Sequence, residues 1–326
     1  METRADRKGI KKKKKWKRTL FWSLFSVVLV AGLGTYYFYS EIASAVNKMH
    51  KPISREVSEE REKKVEVKKQ DPLSILLVGV DEREGDSGRT DSMLVITINP
   101  ELKTTKIVSI PRDTRTKLIN KEKPSKSRMD KINHAYAFGG IEMTINTVEN
   151  FLNIPIDHFI EVNMAGFRDI VDAVGGIDVI NEHSFELDGT YLSKGPHHLN
   201  GEEALQYARM RKEDPLGDFG RQARQREVIS KVISKGASLS SITKSDEILL
   251  ALENNIKTSL TLDEMISMQF DYKPAVANME KIEIPGEGKT LDKWYHIVSD
   301  ETRQSLSDEL RTHLEVPTSP VSKIED

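Results

Sequence analysis

Apolar residues fall along this chain in patterns that predict most of its elements. Residues 19–40 run for twenty-two positions without a charge and include Leu20, Phe21, Leu24, Val27, Val28, Leu29, Val30 and Leu33. At 1.5 Å per residue a helix of that length spans about 33 Å, enough for a hydrocarbon core of about 30 Å. Residues 73–80, LSILLVGV, form a shorter continuous run, the pattern of a strand buried on both faces. Further strands are expected at 92–99, 105–110, 154–164 and 177–180, and near 281–284. Helical spacing appears between them, with Ile141, Ile145, Val148 and Leu152 in 138–152, then 166–174, which Gly175 and Gly176 should end. Residues 201–212 read as a helix stopped by Pro215 and Gly217. A second helix over about 219–235, with Ile229 and Ile233 on its apolar stripe, follows with Asp218 as its cap. The last third, from 245, adds one or two helices. Strands alternating with helices predict a layered α/β domain.

Charge divides the chain. Residues 1–18 hold ten Lys or Arg and two acids, whereas those beyond 40 hold 39 basic and 49 acidic residues, so the net charge of −2 conceals two different surroundings. A basic flank beside the apolar run, with Trp16 and Trp22 at one end and Tyr36, Tyr37 and Tyr39 at the other, matches a membrane anchor that keeps its lysines inside. The large C-terminal part then lies outside the cell. A cleaved signal peptide is the rival, because Ala43-Ser44-Ala45 has the small-x-small form, but the run exceeds the roughly 7–15 residues of a signal h-region. The chain therefore divides into a basic cytoplasmic segment (1–18), a transmembrane helix (19–40), a charged stalk (41–71), a domain (72–315) and a flexible tail (316–326). It has no cysteine, which excludes disulfides and thiol chemistry.

Chemistry concentrates at strand ends and in one helical stretch. Residues 201–225, GEEALQYARMRKEDPLGDFGRQARQ, place Arg209, Arg211, Arg221 and Arg224 within sixteen positions. Arg221 and Gln225 are four apart and share a face in the first turns of a helix, where free N–H groups already favour an anion. Arg209 and Arg211 can join them only if the preceding helix ends there. Asp81 closes the first strand, Asp91 precedes the second, and Arg112 and Asp113 follow the third, positions where an open α/β sheet places its ligand site. A solvated basic helix paired with Glu202, Glu203 and Glu213 is the competing reading. GEGKT at 286–290 has Glu283 where a phosphate-binding P-loop needs its first glycine, and His197-His198 lacks a third ligand at helical spacing and reads as a turn. There is no G-x-S-x-G elbow, no H-E-x-x-H, and no DNA-binding motif.

The order LLVGVD, GRTDSMLV, SIPRDT, KINHAYAFGG, HLNGEEALQYARMRK and GDFGRQARQ, behind a single basic-flanked membrane helix, resembles the LytR-CpsA-Psr family over roughly residues 73–240. The resemblance implies a layered α/β/α domain with a central mixed sheet and a long apolar pocket for a polyprenyl pyrophosphate carrier. Such proteins attach anionic glycopolymers, such as wall teichoic acid or capsular polysaccharide, to peptidoglycan in Gram-positive bacteria. Carried over by motif, Asp81 and Asp91 match the family's metal-associated acids, implying Mg²⁺ with Mn²⁺ as a substitute. Arg89, Arg112, Arg209, Arg211 and Arg221 match its pyrophosphate-binding arginines, with Lys131, Asp218 and Gln225 on matching positions, and Asp91, Arg112 and Arg89 nearest the chemistry. Asp91 has two readings, as a metal-bound carboxylate or as the base for an acceptor hydroxyl. Surface pairing competes for Asp113, Arg115 and Arg224, and His134 reads as a hydrogen-bonded structural residue. The implied reaction is attack by the muramic acid 6-hydroxyl of peptidoglycan on the phosphorus that bears the polymer, releasing polyprenyl phosphate. A carrier-pyrophosphate hydrolase, a carrier-lipid binding module and a membrane-anchored regulator are the alternatives.

Overall fold

The structure, a computed structural model, describes residues 4–81, 89–237 and 252–324, with side chains described from residue 21 onward except at 38, 81 and 89. It comprises two compact units, Met1–Val46 and Asn47–Asp326. The first is carried by helix α1 (Arg4–Met49), and among the described residues one stretch, Phe21–Met49, is long and apolar enough to cross a membrane. Leu24, Val27, Val30 and Leu33 are exposed around it, as expected of a helix solvated by lipid instead of a protein core.

The second unit is built on a six-stranded sheet. Strands β1 (Leu73–Asp81), β2 (Arg89–Asn99) and β3 (Thr104–Ser109) form an antiparallel meander. The meander is flanked on one side by β6 (His158–Asn163), parallel to β1, and then by β11 (Ile256–Thr258), antiparallel to β6. On the other side β12 (Met279–Glu283) lies parallel to β3. Short hairpins pair β4 (Arg115–Leu118) with β5 (Arg128–Lys131), β8 (Phe185–Leu187) with β9 (Thr190–Leu192), and β13 (Glu287–Thr290) with β14 (Trp294–Ile297). Strands β7 (Ile177–Asn181) and β10 (Gly195–Leu199) also pair antiparallel.

The period-two alternation of β1 and β2 sorts the core into two layers. Leu76, Val78, Val80, Met93 and Val95 pack with Ile141, Ile145 and Val148 of helix α2 (His134–Leu152) and Leu306 and Leu310 of a C-terminal helix, Asp300–His313. On the other face Leu73, Ile75, Leu94 and Ile96 meet residues of α5 (Asp218–Gly236) and α6 (Leu262–Asp271), which makes the domain α/β/α. A satellite core joins α3 (Met164–Ala173), α4 (Gly201–Arg209) and the β7–β10 region through Val171, Ile177, Val179, Leu199 and Ala204.

Several elements depart from the sequence expectations. Helix α2 begins at His134 and kinks at Gly139–Gly140, and the strand expected at 154–164 is only His158–Asn163. Asp218 is not a cap: Gly217 holds that position and Asp218 is the first helical residue. His197 and His198 lie on β10, not in a turn, with His198 Nδ1 2.7 Å from Asp178. The GEGKT sequence is part of the β13–β14 hairpin, not a strand–loop–helix.

Two segments expected to be loose are packed. In the supposed stalk, Arg55 pairs with Glu149, Arg61 Nε lies 3.0 Å from Asp157, and Val65 and Val67 are buried in the sheet core. The tail likewise docks: Arg303 Nη1 donates to Ser322 O at 2.7 Å, Asn153 Nδ2 to Ser319 O at 2.8 Å, and Val316 is buried. The reason is the same in both places. Charges that look solvated in the sequence meet buried partners on distant elements, and these segments serve as straps over the sheet layers.

Glu149 anchors the first strap. Buried on α2, it accepts from both terminal nitrogens of Arg55, from Ser58 Oγ at 2.6 Å and from the Ile156 N–H at 2.9 Å. Glu149→Ala would strand these donors and is expected to destabilise the domain by about 3 kcal/mol, with Glu149→Gln retaining part of the loss, as read from urea unfolding midpoints.

Candidate functional site

The site lies where the carboxyl ends of β1, β3 and β6 meet the start of β2. Across β1 and β2, Asp81 pairs with Arg89, Val80 with Thr90 and Gly79 with Ser92, which leaves Asp91 as the extra residue of a β-bulge. A bulge bends the strand and re-aims its side chain. Asp91 turns to the mouth of a cavity and accepts from Arg112 Nη1 at 2.7 Å. Asp81 and Arg89 are placed at the same end by this register, and their side chains lie outside the described residues.

Arg112 follows β3 and stands among carboxylates. Its Nε is 3.6 Å from Asp113 Oδ2, and Lys131 Nζ at the end of β5 is 2.7 Å from Asp113 Oδ1. Burial works against the Arg112 charge, yet Asp91, Asp113 and Asp218 together hold its affinity for a proton above the ordinary value. Asp113 is thus a bridge between two cations and not a surface acid. Arg115 begins β4 opposite Lys131. Beside this group, His134 Nδ1 lies 3.0 Å from Asp130, a structural pairing.

The second half of the cluster comes from the α4–α5 connection. Helix α4 ends at Arg209, because Met210 adopts an extended backbone, so Arg209 closes the last turn and Arg211, beyond the helix, faces the start of α5. Arg211 Nε is 3.8 Å from Asp218, and Arg221 Nη2 is 2.6 Å from the same carboxylate. Arg209 donates to Asp188 at 2.8 Å and, like Gln225, lines the cavity mouth. Arg221 is almost completely buried, and burial first, then the nearby Arg112 and Arg211, push its pKa down against the pull of Asp218 and Asp91. Its Nε has no hydrogen-bond partner in the protein. A guanidinium held in that condition gains from an incoming anion.

Arg224 has the opposite character. It donates to Tyr207 O at 2.8 Å and also to Met210 O and to the Asp214 carboxylate, all buried. It fixes the turn that carries the other arginines and does not face the site. Two glycines permit this turn: Gly217 has φ +55°, and a Cβ at Gly220 would stand 1.9 Å from Asp214 Oδ2. The sequence assigns Arg221 to the site and leaves Arg224, three positions on, open to surface pairing; the structure instead makes Arg224 a buried support.

From this cluster an apolar cavity of about 530 Å³ runs between the sheet and the α5–α6 layer. Ile75, Leu77, Leu94 and Ile96 line one wall, and Ile229, Ile233, Met265 and Met268 the other. Asn163, unnoticed in the sequence, also stands at the mouth. It ends β6 and caps α3 through Gly166 N at 2.8 Å, a strand-to-helix asparagine whose position was readable.

Among the described residues no group of three or more His, Cys, Asp or Glu gathers as a metal site. Asp91 offers hard oxygen donors of the kind a Mg²⁺ takes, and the β1–β2 register brings the backbone of Asp81 to the same end of the sheet.

The second unit is an α/β domain whose apolar cavity ends beside paired guanidinium and carboxylate groups. Residues 36–312 match the LytR_cpsA_psr family, and the chain belongs to it. It is 50% identical over 305 residues to a Bacillus cereus protein named polyisoprenyl-teichoic acid--peptidoglycan teichoic acid transferase TagU, covering 92% of this chain and 99% of that one. The Bacillus subtilis TagU is 48% identical over 308 residues, covering 93% and 98%. Among solved structures, TagT bound to LIIa-WTA superposes with a TM-score of 0.69 at 33% identity, covering 82% of this chain and all of that one. The B. subtilis TagU crystal structure gives 0.60 at 47% identity, covering 77% and 100%.

The two buried arginines give a sharp test. Arg224→Gln should cost about 3 kcal/mol of stability, because it strands Asp214 and two carbonyls. Arg221→Gln should change stability by less than about 1 kcal/mol yet weaken binding of inorganic pyrophosphate about tenfold or more. Urea unfolding and titration calorimetry read the two effects, and equal destabilisation by both variants would refute the division of roles.

Proposed function

We propose that this chain transfers a teichoic acid-type anionic glycopolymer from a polyprenyl pyrophosphate carrier to peptidoglycan, leaving a phosphodiester bond. The observation that carries the reading is that the apolar cavity ends at Asp91, Arg209 and Gln225, with Arg112 paired to Asp91 and the Asp218–Arg221 pair in the same charge cluster. The relatives' names supply the substrates.

The polyprenyl chain occupies the cavity, which removes its apolar surface from water, and this binding energy fixes the pyrophosphate at the mouth. Arg112, Arg211 and Arg221, with Arg209, Lys131 and Arg89, neutralise the phosphate oxygens as negative charge builds on the leaving polyprenyl phosphate. The muramic acid 6-hydroxyl attacks the phosphorus bearing the polymer. An oxygen–phosphorus bond forms, the bond to polyprenyl phosphate breaks, and the hydroxyl proton leaves to a base. Gln225 and Asn163 offer neutral hydrogen bonds at the mouth, and Asp218 keeps Arg221 and Arg211 together. Asp81 and Asp91 would hold Mg²⁺, which when bound supplies Lewis-acid stabilisation of the pyrophosphate oxygens. The N-terminal helix anchors the chain, with its Lys- and Arg-rich end on the cytoplasmic side and the domain outside the cell.

Full-length protein in detergent, given Mg²⁺, a synthetic polyprenyl-pyrophosphate glycan and peptidoglycan oligomers, should form a glycan-phosphate adduct detectable by mass spectrometry. Arg112→Ala and Asp91→Ala should each lower the rate by about 10²-fold or more. Chelation by EDTA should stop transfer and added Mg²⁺ restore it. Release of glycan phosphate without an adduct would mark the protein as a hydrolase instead.

A further inference from the structure

The acceptor must reach the phosphorus from outside the lipid cavity, and the β14 strand borders the site on such a side. The His296 N–H donates to Asp113 O at 2.9 Å, and His296 bridges Thr114 just beyond Arg112. The His296 ring is buried, its Nε2 is 3.3 Å from Ile284 O, and it meets Phe219 edge to face at 6.0 Å between centroids. Phe219 directly follows Asp218. On α5 it lies about 200° around the helix from Arg221, and it is not among the residues that line the cavity, as Gln225 is. Trp294 is two residues before His296, hence on the same face of β14 and about 7 Å along it.

Both rings are open to solvent, Phe219 at 45% and Trp294 at 49%. Trp294 is nonetheless supported, because three atoms of its indole lie 3.0–3.2 Å from where a Cβ on Gly288 would stand, so the ring rests against the facing strand of the hairpin. Leu216, at 69%, and Leu291, at 43%, add exposed apolar surface in the loops beside these two rings. Large apolar side chains left in water beside a cation cluster mark a surface that a ligand covers. A pyranose fits this chemistry: its C–H face packs on an aromatic ring while its hydroxyls stay at the rim, and a rigid aromatic loses little conformational entropy in the contact.

We infer that Trp294 and Phe219 form the seat for the acceptor, a glycan strand of peptidoglycan, with one sugar stacked on the indole and the reacting sugar beyond it toward Arg112. This assignment rests on the transferase reading.

Two measurements on full-length protein in detergent test it. In steady-state transfer, Trp294→Ala should raise KM for peptidoglycan oligomers about tenfold, the effect of truncating an interface tryptophan, and Phe219→Ala should act in the same direction. Trp294→Phe should recover part of the loss, and KM for the carrier substrate should stay at the wild-type value. Secondly, the tryptophans are Trp16, Trp22 and Trp294, so a Trp16→Phe/Trp22→Phe variant leaves one indole in the chain. Uncrosslinked peptidoglycan strands should shift its emission saturably. Active transfer with an unchanged acceptor KM in Trp294→Ala and no emission shift would overturn the inference while leaving the transferase reading intact. A saturable shift in a protein that forms no adduct would support the glycan seat and overturn the transferase reading.

Discussion

Crowding of like charge is the constraint on which this site depends. Arg112, Arg211, Arg221 and Lys131 are brought into one neighbourhood, and cations that close repel one another unless carboxylates stand between them. Asp91, Asp113 and Asp218 do so, each placed against at least one of the cations. The compensation is incomplete at Arg221, which is buried beside two other arginines and keeps an unpartnered Nε. An anionic ligand would complete the charge balance, which is the part the proposed pyrophosphate plays.

The fold delivers these groups from distant parts of the chain. The β1–β2 bulge aims Asp91, the end of β3 carries Arg112 and Asp113, and the α4–α5 turn carries Arg211, Asp218 and Arg221. That turn is fixed by Arg224, whose guanidinium closes onto Asp214 and two carbonyls of the same connection. Rigid support matters here because the chemistry proposed is mostly positioning and charge stabilisation, and neither tolerates a loose shell. The apolar cavity is built by the same sheet, since the face of β1 and β2 opposite α2 supplies its wall.

Much of this was legible in the chain. LSILLVGV became β1, the Ile141–Leu152 periodicity became the body of α2, and the arginine-rich stretch became two helices broken near Pro215. The candidate residues were singled out because their segments carry several motifs in one order. Arg224 and Asp113 resisted assignment, since their partners determine their roles and those partners lie elsewhere: Asp113 binds Lys131, eighteen positions on, and Arg224 binds Tyr207 O, seventeen back. The straps were misread for a related reason. Arg55 and Arg61 look solvated until Glu149 and Asp157 are placed beneath them.

The sequence by itself determined the elements, the apolar N-terminal helix, the family and the identities of the charged residues, because periodicity, turn chemistry and motif order are local properties. Only the tertiary structure decided which cations pair with which acids, which arginine supports and which is left in deficit, and which aromatic rings border the site. Those outcomes depend on distance and burial, and residues such as Asp91, Arg112 and Arg221 acquire a distance from one another only when the sheet and α5 pack.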